Sequence, residues 1–403
     1  MKVLVVNKFF FLKGGAETVF FQEREMLKSF GVDVIDFSMQ HEKNWDSSYA
    51  DFFVDNVDYH QEHSITSQLK TAFDFIHNSE ACRKIKLLIQ QEQPDIVHFH
   101  NIYHQLTPSV IKVAKSLGCK TVLTAHDTKM ACPSYTMYRE GHVCEDCLVH
   151  SPFSAFKNRC YENSVSKSFL LMLEAFYQQV AGNYQSLDAI ISPSAFLANI
   201  IRRKYPKANI KVIVNGIDEN VVYEDGRDLG YFLYLGRLSK EKGVETLAKA
   251  HQILADCVEL KIVGDGPLYQ ELERNYPQLQ LLGFKQGQDL LDLIKGAKAI
   301  IVPSECYENC SMSVLEAMAY GKPVIGANIG GIPEQVRHNI EGILFEAGDP
   351  ESLADAMLTL HNDSELVSNL GAHSRQRLVE KYSLTKHKED LIALYHQLAA
   401  GNK

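Results

Sequence analysis

Two glutamates, Glu308 and Glu316, flank the run Asn309-Cys310-Ser311-Met312-Ser313-Val314-Leu315, between an apolar strand pattern ending at Val302 and a glycine stop at Gly321. Glu308 falls in the loop and Glu316 in the first turns of the helix. Both carboxylates can then face one cleft across an anion seated on the helix N-terminus, where unpaired N–H groups and the helix dipole favour negative charge. A sugar nucleotide asks for that layout: one acid for sugar hydroxyls, one for ribose hydroxyls, and N–H donors for the phosphates between them. The same letters also spell a capping box, Ser313-Val314-Leu315-Glu316, with Glu308 as an ordinary surface carboxylate. Spacing alone favours neither account.

Other loops offer partners for such a ligand. Gly236-Arg237-Leu238-Ser239-Lys240-Glu241-Lys242-Gly243 follows a strand pattern, so Arg237 as a planar fork and Lys242 as a point charge could clamp a diphosphate; a solvated loop is the plainer account. Gly14-Gly15 opens a helix after the first strand, which suits an anion or simply a tight turn. Gly264-Asp265-Gly266-Pro267 is no dinucleotide fingerprint, because the third glycine is missing and a proline stands where the helix begins. His98 and His100 share one strand face with no carboxylate evident nearby and read as core histidines. Cys132, Cys144, Cys147 and Cys160 fall in one long loop, two of them as Cys-x-x-Cys; they suit a tetrahedral structural zinc site, or else are packed or reactive free thiols.

The elements that must position these groups alternate from end to end: short β-branched runs, then longer helical patterns, the mark of parallel sheets covered on both faces. Strands are expected at Lys2–Asn7, Val32–Phe37, Asp95–His100, Lys120–Ala125, Asp188–Ser192 and Lys211–Val214. The pattern restarts at Tyr231–Gly236 and continues through Glu259–Val263, Leu279–Leu282, Ala299–Val302 and Pro323–Ala327. This predicts two doubly wound Rossmann-like units, with ligands bound beyond the carboxyl ends of the strands. Residues 1–215 form the first unit, with a cysteine insert at 128–163, and 216–382 the second, with a hinge in Asn215–Gly230. The amphipathic helix Leu384–Ala400, within a final segment 383–403, is expected to pack back on the first. A helix over Ala16–Phe30 should bury Val19, Phe20, Met26, Leu27 and Phe30, and the apolar run Phe169–Leu173 with Phe176 and Tyr177 should face the core.

The chain has 403 residues, 45% of them hydrophobic and 23% charged, and a net charge of −9 from 41 basic and 50 acidic groups. That balance argues against sequence-independent nucleic-acid binding. No apolar run approaches the length of a membrane span, and the N-terminus lacks a signal-peptide pattern, so a cytoplasmic protein is expected. Nine cysteines do not suggest a secreted disulfide framework.

Taken in order, Gly14-Gly15-Ala16-Glu17, His98-Phe99-His100-Asn101, Thr124-Ala125-His126-Asp127, Asn215-Gly216-Ile217-Asp218, Arg237 to Gly243, Glu308 to Glu316 and Gly330-Gly331-Ile332-Pro333-Glu334 resemble the pattern of the family 4 (group 1) glycosyltransferases. The resemblance implies retaining enzymes of the GT-B architecture, two Rossmann-like domains facing across a cleft. It implies Arg237 and Lys242 on the diphosphate, Glu316 on the ribose and Glu308 on the donor sugar, with the backbone of Asn309, Cys310, Ser311 and Met312 around sugar and phosphates. Gly14 and Gly15 would approach from the other domain, His126 would lie by the reacting carbon, and backbone near Phe284 would meet the base. The leaving diphosphate would itself help take the acceptor proton, so no dedicated base is needed, and no cofactor is expected to be required for catalysis. The family's usual Gly-Phe-Gly is Asn309-Cys310-Ser311 here, which leaves the sugar open. The implied partners are a nucleotide-diphosphate sugar and a saccharide or lipid-linked acceptor in polysaccharide or cell-surface glycan assembly, with peripheral contact at the inner membrane surface. The cysteine insert, following His126 directly, should border the acceptor site. A nucleotide-sugar epimerase of the same architecture, or a non-catalytic nucleotide-sugar scaffold, would use the same donor cleft.

Overall fold

The computed structural model describes residues 1–56, 65–221, 228–255 and 257–400. Its strands are β1 (Lys2–Val6), β2 (Asp33–Phe37), β3 (Ile96–Phe99), β4 (Lys120–Thr124), β5 (Tyr138–Arg139), β6 (His142–Val143), β7 (Ala189–Ser192), β8 (Ile210–Val212), β9 (Tyr231–Leu235), β10 (Glu259–Val263), β11 (Gln280–Leu281), β12 (Ala297–Val302), β13 (Val324–Ala327) and β14 (Gly342–Phe345). One parallel sheet runs β2-β1-β3-β4-β7-β8 and a second runs β11-β10-β9-β12-β13-β14; β5 and β6 form a separate antiparallel hairpin. The order reverses at β1/β3 in the first sheet and at β9/β12 in the second, so each sheet opens a crevice beyond those strand ends.

The apolar runs are continuous because both sheet faces are covered. Along β1, Leu4 and Val6 enter one layer with Ile35, Phe37, Val97 and Phe99. Val3 and Val5 enter the opposite layer with Val34, Ile96 and Val122. The expected strands form, several of them trimmed, which leaves Asn7, His100 and Ala125 just past β1, β3 and β4 at the head of their loops. The edge strand β14 was not anticipated; it is short, and only its pairing with β13 makes it a strand.

Two helical expectations need correction. The first helix spans Gly15–Ser29, and Phe30 is 51% exposed rather than part of the buried face. The Lys388 ammonium lies 3.6 Å from the Phe30 ring centroid, so a cation covers it instead of the core. In the helix Val165–Ala181, Phe169 is 45% and Tyr177 38% exposed, and Leu173 and Phe176 also face outward. The face turned inward buries Leu171 and Met172, as expected, together with polar groups that have dedicated partners. Glu174 receives the Lys129 ammonium at 3.0 Å, and the Gln178 amide donates to the Ile76 carbonyl at 2.8 Å.

The helix Leu384–Ala400 does return to the first sheet, where Leu391, Leu394 and Tyr395 complete the layer built on Val3 and Val5. Burying each such side chain is worth about 1.5–3 kcal/mol before conformational entropy is subtracted. The chain therefore crosses between the sheets twice, and the crossings bond to each other: Ile217 N–H to Tyr382 C=O at 3.0 Å and Leu384 N–H to Ile217 C=O at 2.9 Å. A Cβ on Gly216 would come within 2.8 Å of Leu384 Cα, so only glycine lets the two crossings meet. The expected hinge begins here; its portion over 222–227 lies outside the described residues, as do 401–403 of the final segment.

Candidate active site

A cavity of about 400 Å³ lies between the carboxyl edges of the two sheets. Gly15, His126, Arg237, Lys242, Glu308, Asn309, Cys310, Ser311 and Met312 all line it. Gly14 faces a neighbouring cavity of about 360 Å³, bounded also by Lys8, Lys13, Asp127, Tyr135 and Tyr161. Glu316 and Phe284 line neither, and Phe284 is 71% exposed.

The loop after β9 ends in a helical turn, Lys240–Lys242, stopped by Gly243 in the left-handed region at φ 69°. A Cβ there would fall 1.8 Å from the Pro303 carbonyl oxygen, so the loop after β9 and the loop after β12 can approach this closely only at a glycine. The close approach delivers Lys242 to Glu308, Nζ to Oε1 at 2.5 Å, while Ser304 Oγ donates to the same oxygen at 2.7 Å. Burial opposes the charge on Glu308, but Lys242 and Ser304 outweigh it and hold the carboxyl below its ordinary range. Burial likewise opposes the charge on Lys242, and Glu308 more than restores it. The pair is ionised, with Glu308 fixed as an acceptor.

Arg237 is exposed at the cavity wall, with its backbone carbonyl held by the Tyr234 hydroxyl at 2.8 Å. Across the cleft stands Lys13, whose ammonium is 4.0 Å from the Phe9 ring centroid; burial lowers its pKa, and the nearby Arg237 lowers it further. Glu17 acts on Lys13 the other way, raising it, and a diphosphate in the cleft would add a second anion for the two cations to meet. The helix Met312–Ala319 starts at the same cavity, and Gln335 clamps its cap, accepting from Ser311 N–H at 2.8 Å and donating to Ser311 C=O at 3.1 Å. The capping box suggested by Ser313 and Glu316 does not form, because the Ser313 hydroxyl donates to the Leu235 carbonyl at 3.1 Å instead. Glu316 lies on this helix with its carboxyl pushed up to about 7 by burial.

The side chains that stand here in place of Gly-Phe-Gly have structural destinations. Asn309 reaches across the cleft, accepting from Ser194 Oγ at 2.6 Å and donating to the Ala125 carbonyl at 3.1 Å. Cys310 packs into the core of the second sheet. Glu334, quoted above without a role, accepts from the N–H groups of Ala195 and Phe196 at 2.8 and 2.5 Å, bonding the second domain to a helix start of the first. The insert bridges the domains too: the Tyr138 hydroxyl donates to Glu305 at 2.9 Å, and the Tyr307 hydroxyl to Glu145 at 3.1 Å. Tyr135 borders both cavities, and Cys160 and Tyr161 wall the second, so the insert frames the space beside His126.

Cys132 and Cys147 are buried, Cys144 and Cys160 half-buried, and none forms a disulfide. No three of their sulfurs lie within 4.8 Å of one another; among the described residues the set meeting that spacing is Glu23, His98 and His100. Glu23, on the first helix, is thus the carboxylate that the reading of His98 and His100 lacked. Lys13, Glu23 and Glu334 are the groups that sequence reasoning missed. Lys13 directly precedes the glycine pair and could have been found, whereas Glu23 meets its histidines only through the packing of helix on sheet.

A model described as Glycosyltransferase Family 4 matches residues 13–221, and one described as Glycosyl transferases group 1 matches 230–363. An uncharacterised glycosyltransferase of Methanocaldococcus jannaschii is 31% identical over 284 residues, 63% of this chain and 70% of its own. Sucrose-phosphate synthase from Thermosynechococcus elongatus shares the fold at a TM-score of 0.74 and 18% identity, covering 99% of each chain. The Anabaena protein HepE in complex with UDP-glucose does so at 0.63 and 17%, covering 98% of this chain and 99% of its own.

Proposed function

The chain is a glycosyltransferase of family 4 with the GT-B fold, and from that premise we propose that it moves a sugar from a nucleoside-diphosphate sugar to a saccharide or lipid-linked acceptor, with retention of configuration. The observation that carries this reading is the ionised Lys242–Glu308 pair at a helix start, lining one cavity with Arg237 while Lys13 lines the adjoining one. A diphosphate seated there meets Lys242, Arg237 and the N–H group of Met312 at the helix start, and these stabilise the charge that builds as the sugar leaves. Glu308, kept ionised, accepts from sugar hydroxyls. That HepE is solved with UDP-glucose supports a uridine donor. Residues 1–215 serve as the acceptor-side domain and 216–382 as the donor domain, with the second cavity, between Asp127 and the insert, receiving the acceptor.

No acid or base apart from the diphosphate is required when attack comes from the face the leaving group departs. Glu316 binds ribose from just outside the cavity wall, a role that asks its helix to shift or the nucleotide to extend past Met312. A cytoplasmic enzyme touching a membrane through the outward face of Val165–Ala181 is consistent with the exposed Phe169 and Tyr177. Among the described residues no helix is long and apolar enough to cross one.

The test is nucleotide release coupled to product analysis. Arg237→Ala or Lys242→Ala should depress turnover by orders of magnitude in a folded protein, and near-normal rates would refute the assignment. Release of nucleoside diphosphate in step with a glycosylated acceptor is expected; return of an intact, epimerised sugar nucleotide would identify an epimerase instead.

A further inference from the structure

Behind the cleft lies a chain of buried titratable groups that the transfer reaction as described does not use. His100 Nδ1 is 2.9 Å from His126 Nε2, and His100 Nε2 is 3.5 Å from Glu23 Oε2. Those last two atoms are both buried without a hydrogen-bond partner, and they face each other. The other Glu23 oxygen is 3.1 Å from His387 Nε2, and His387 Nδ1 is 2.6 Å from the Val214 carbonyl. Glu23, His98, His100 and His387 are all at most 4% exposed.

The proton positions follow from who can accept. Both nitrogens of His387 face acceptors, so both carry hydrogen and the ring is an imidazolium; burial opposes this, but Glu23 and Val214 raise its pKa above the ordinary value. Glu23 is therefore a carboxylate. His98 Nδ1 lies 2.7 Å from the Tyr395 hydroxyl; with that hydroxyl as the donor, His98 carries its own hydrogen on Nε2 toward Thr124 Oγ1 at 2.8 Å. Glu23 Oε2 lies 3.4 Å from His98 Nδ1 and 3.5 Å from His100 Nε2, and with the His98 nitrogen already accepting from Tyr395, His100 Nε2 is the group that can bring this oxygen a hydrogen. Two lone pairs opposed in a dry interior would repel, so His100 Nε2 carries hydrogen and its Nδ1 accepts. The hydrogen between the rings then belongs to His126 Nε2, and His126 Nδ1 keeps the lone pair.

We propose that Glu23 and His100 form a buried relay, held by His387 of the C-terminal helix, that sets the tautomer of His126 so that it meets the cleft as a hydrogen-bond acceptor for a sugar hydroxyl and not as a cation for phosphate. Glu23, His100 and His387 are positioning residues. The same geometry ties the cleft histidine to the returning helix, so the helix whose Leu391 and Tyr395 complete the first core also orients a group at the reaction site. Burial pushes the His126 pKa down to about 4, in keeping with a neutral ring at neutral pH. The inference rests on the cleft being the transfer site, but its first readout needs no substrate.

Histidine ring ¹⁵N spectra of the full chain, assigned with His126→Asn, should show His126 neutral and protonated on Nε2 at about pH 7. In Glu23→Gln, an isosteric change, the two tautomers should mix, and kcat should fall on the order of tenfold to a hundredfold while donor KM changes little. A residue with a structural role alone would lower the unfolding midpoint and leave the tautomer where it was, which would overturn the proposal. So would a wild-type His126 protonated on Nδ1 or on both nitrogens, and that spectrum decides even if Glu23→Gln fails to fold. Metal-shifted nitrogens on His98 and His100 with a co-purifying ion would overturn it too. The stated tautomer in a protein that transfers no sugar would leave the relay standing and remove the functional reading instead.

Discussion

Glu316 and Glu308 are both half-buried acids on one loop-helix segment, yet their chemistry diverges because Glu308 is the one paired with a cation. Glu316 is lifted to about 7 by burial alone. An acid whose folded pKa lies above its unfolded value binds a proton more tightly in the folded state. Its ionisation therefore subtracts stability progressively as pH rises from about 4.5 to about 7, with no further loss above that. The full effect is on the order of 3 kcal/mol. Glu316→Gln should remove it, so urea unfolding at pH 5 and pH 8 should show the wild type losing stability between them and the variant losing less; equal losses would contradict the assignment. Glu308 has the opposite sign: its depressed pKa contributes stability that is present above the unfolded value and lost as pH falls through the folded one. The sequence exposed both acids but could not separate them, because the distinction is made by Lys242 and Ser304, brought in from other loop positions.

The glycine-stopped turn Lys240–Lys242 and the loop after β12 make a single device, joined at Gly243 and Pro303. Gly243→Ala places a side chain on a left-handed backbone and against a carbonyl. We expect it to cost more than about 1 kcal/mol in thermal unfolding and to lower turnover by displacing Lys242. For the cysteine insert we propose a zinc ion drawing Cys132, Cys144, Cys147 and Cys160 together, since the other three lie within electrostatic reach of Cys147 and four thiols in one insert suit a tetrahedral site. Metal analysis should return one zinc per chain, and chelation should open the insert to protease; four titratable thiols with no metal would end the idea. At this scale the strands and the returning helix were legible because periodicity reports burial directly. In the helix Val165–Ala181 the expectation holds for the buried Leu171 and Met172 and fails for Phe169, Leu173, Phe176 and Tyr177, because Glu174 and Gln178 share the inward face and are satisfied by Lys129 and Ile76, partners far away in sequence.

The whole molecule is two sheets whose loops meet, and the contacts across the cleft are few and specific: Asn309 to Ser194 and Ala125, Glu334 to the helix start at Ala195, Tyr138 to Glu305. Charge-assisted bonds of the Glu334 kind contribute about 1.5–3 kcal/mol each. Glu334→Ala should therefore leave each core intact while favouring an open arrangement. Small-angle scattering should show a larger radius of gyration without ligand, and donor hydrolysis should rise relative to transfer as water enters. An unchanged radius and unchanged partition would show that other contacts hold the cleft. The ordered motifs announced two domains and a shared cleft; they could not announce which residues bond across it, because those contacts join residues more than a hundred positions apart.

The central claim is that a nucleoside diphosphate sits between Arg237, Lys242 and the start of Met312–Ala319. Arg237 is the cleanest handle, since its side chain is exposed and its removal breaks no ion pair among the described residues. Thermal unfolding against a panel of nucleoside-diphosphate sugars should reveal at least one that stabilises the wild type, by about 2.7 kcal/mol at a hundred times its dissociation constant. In Arg237→Ala at the same concentration most of that gain should vanish. A donor that stabilises both proteins equally, or a panel with no effect on either, would contradict the account.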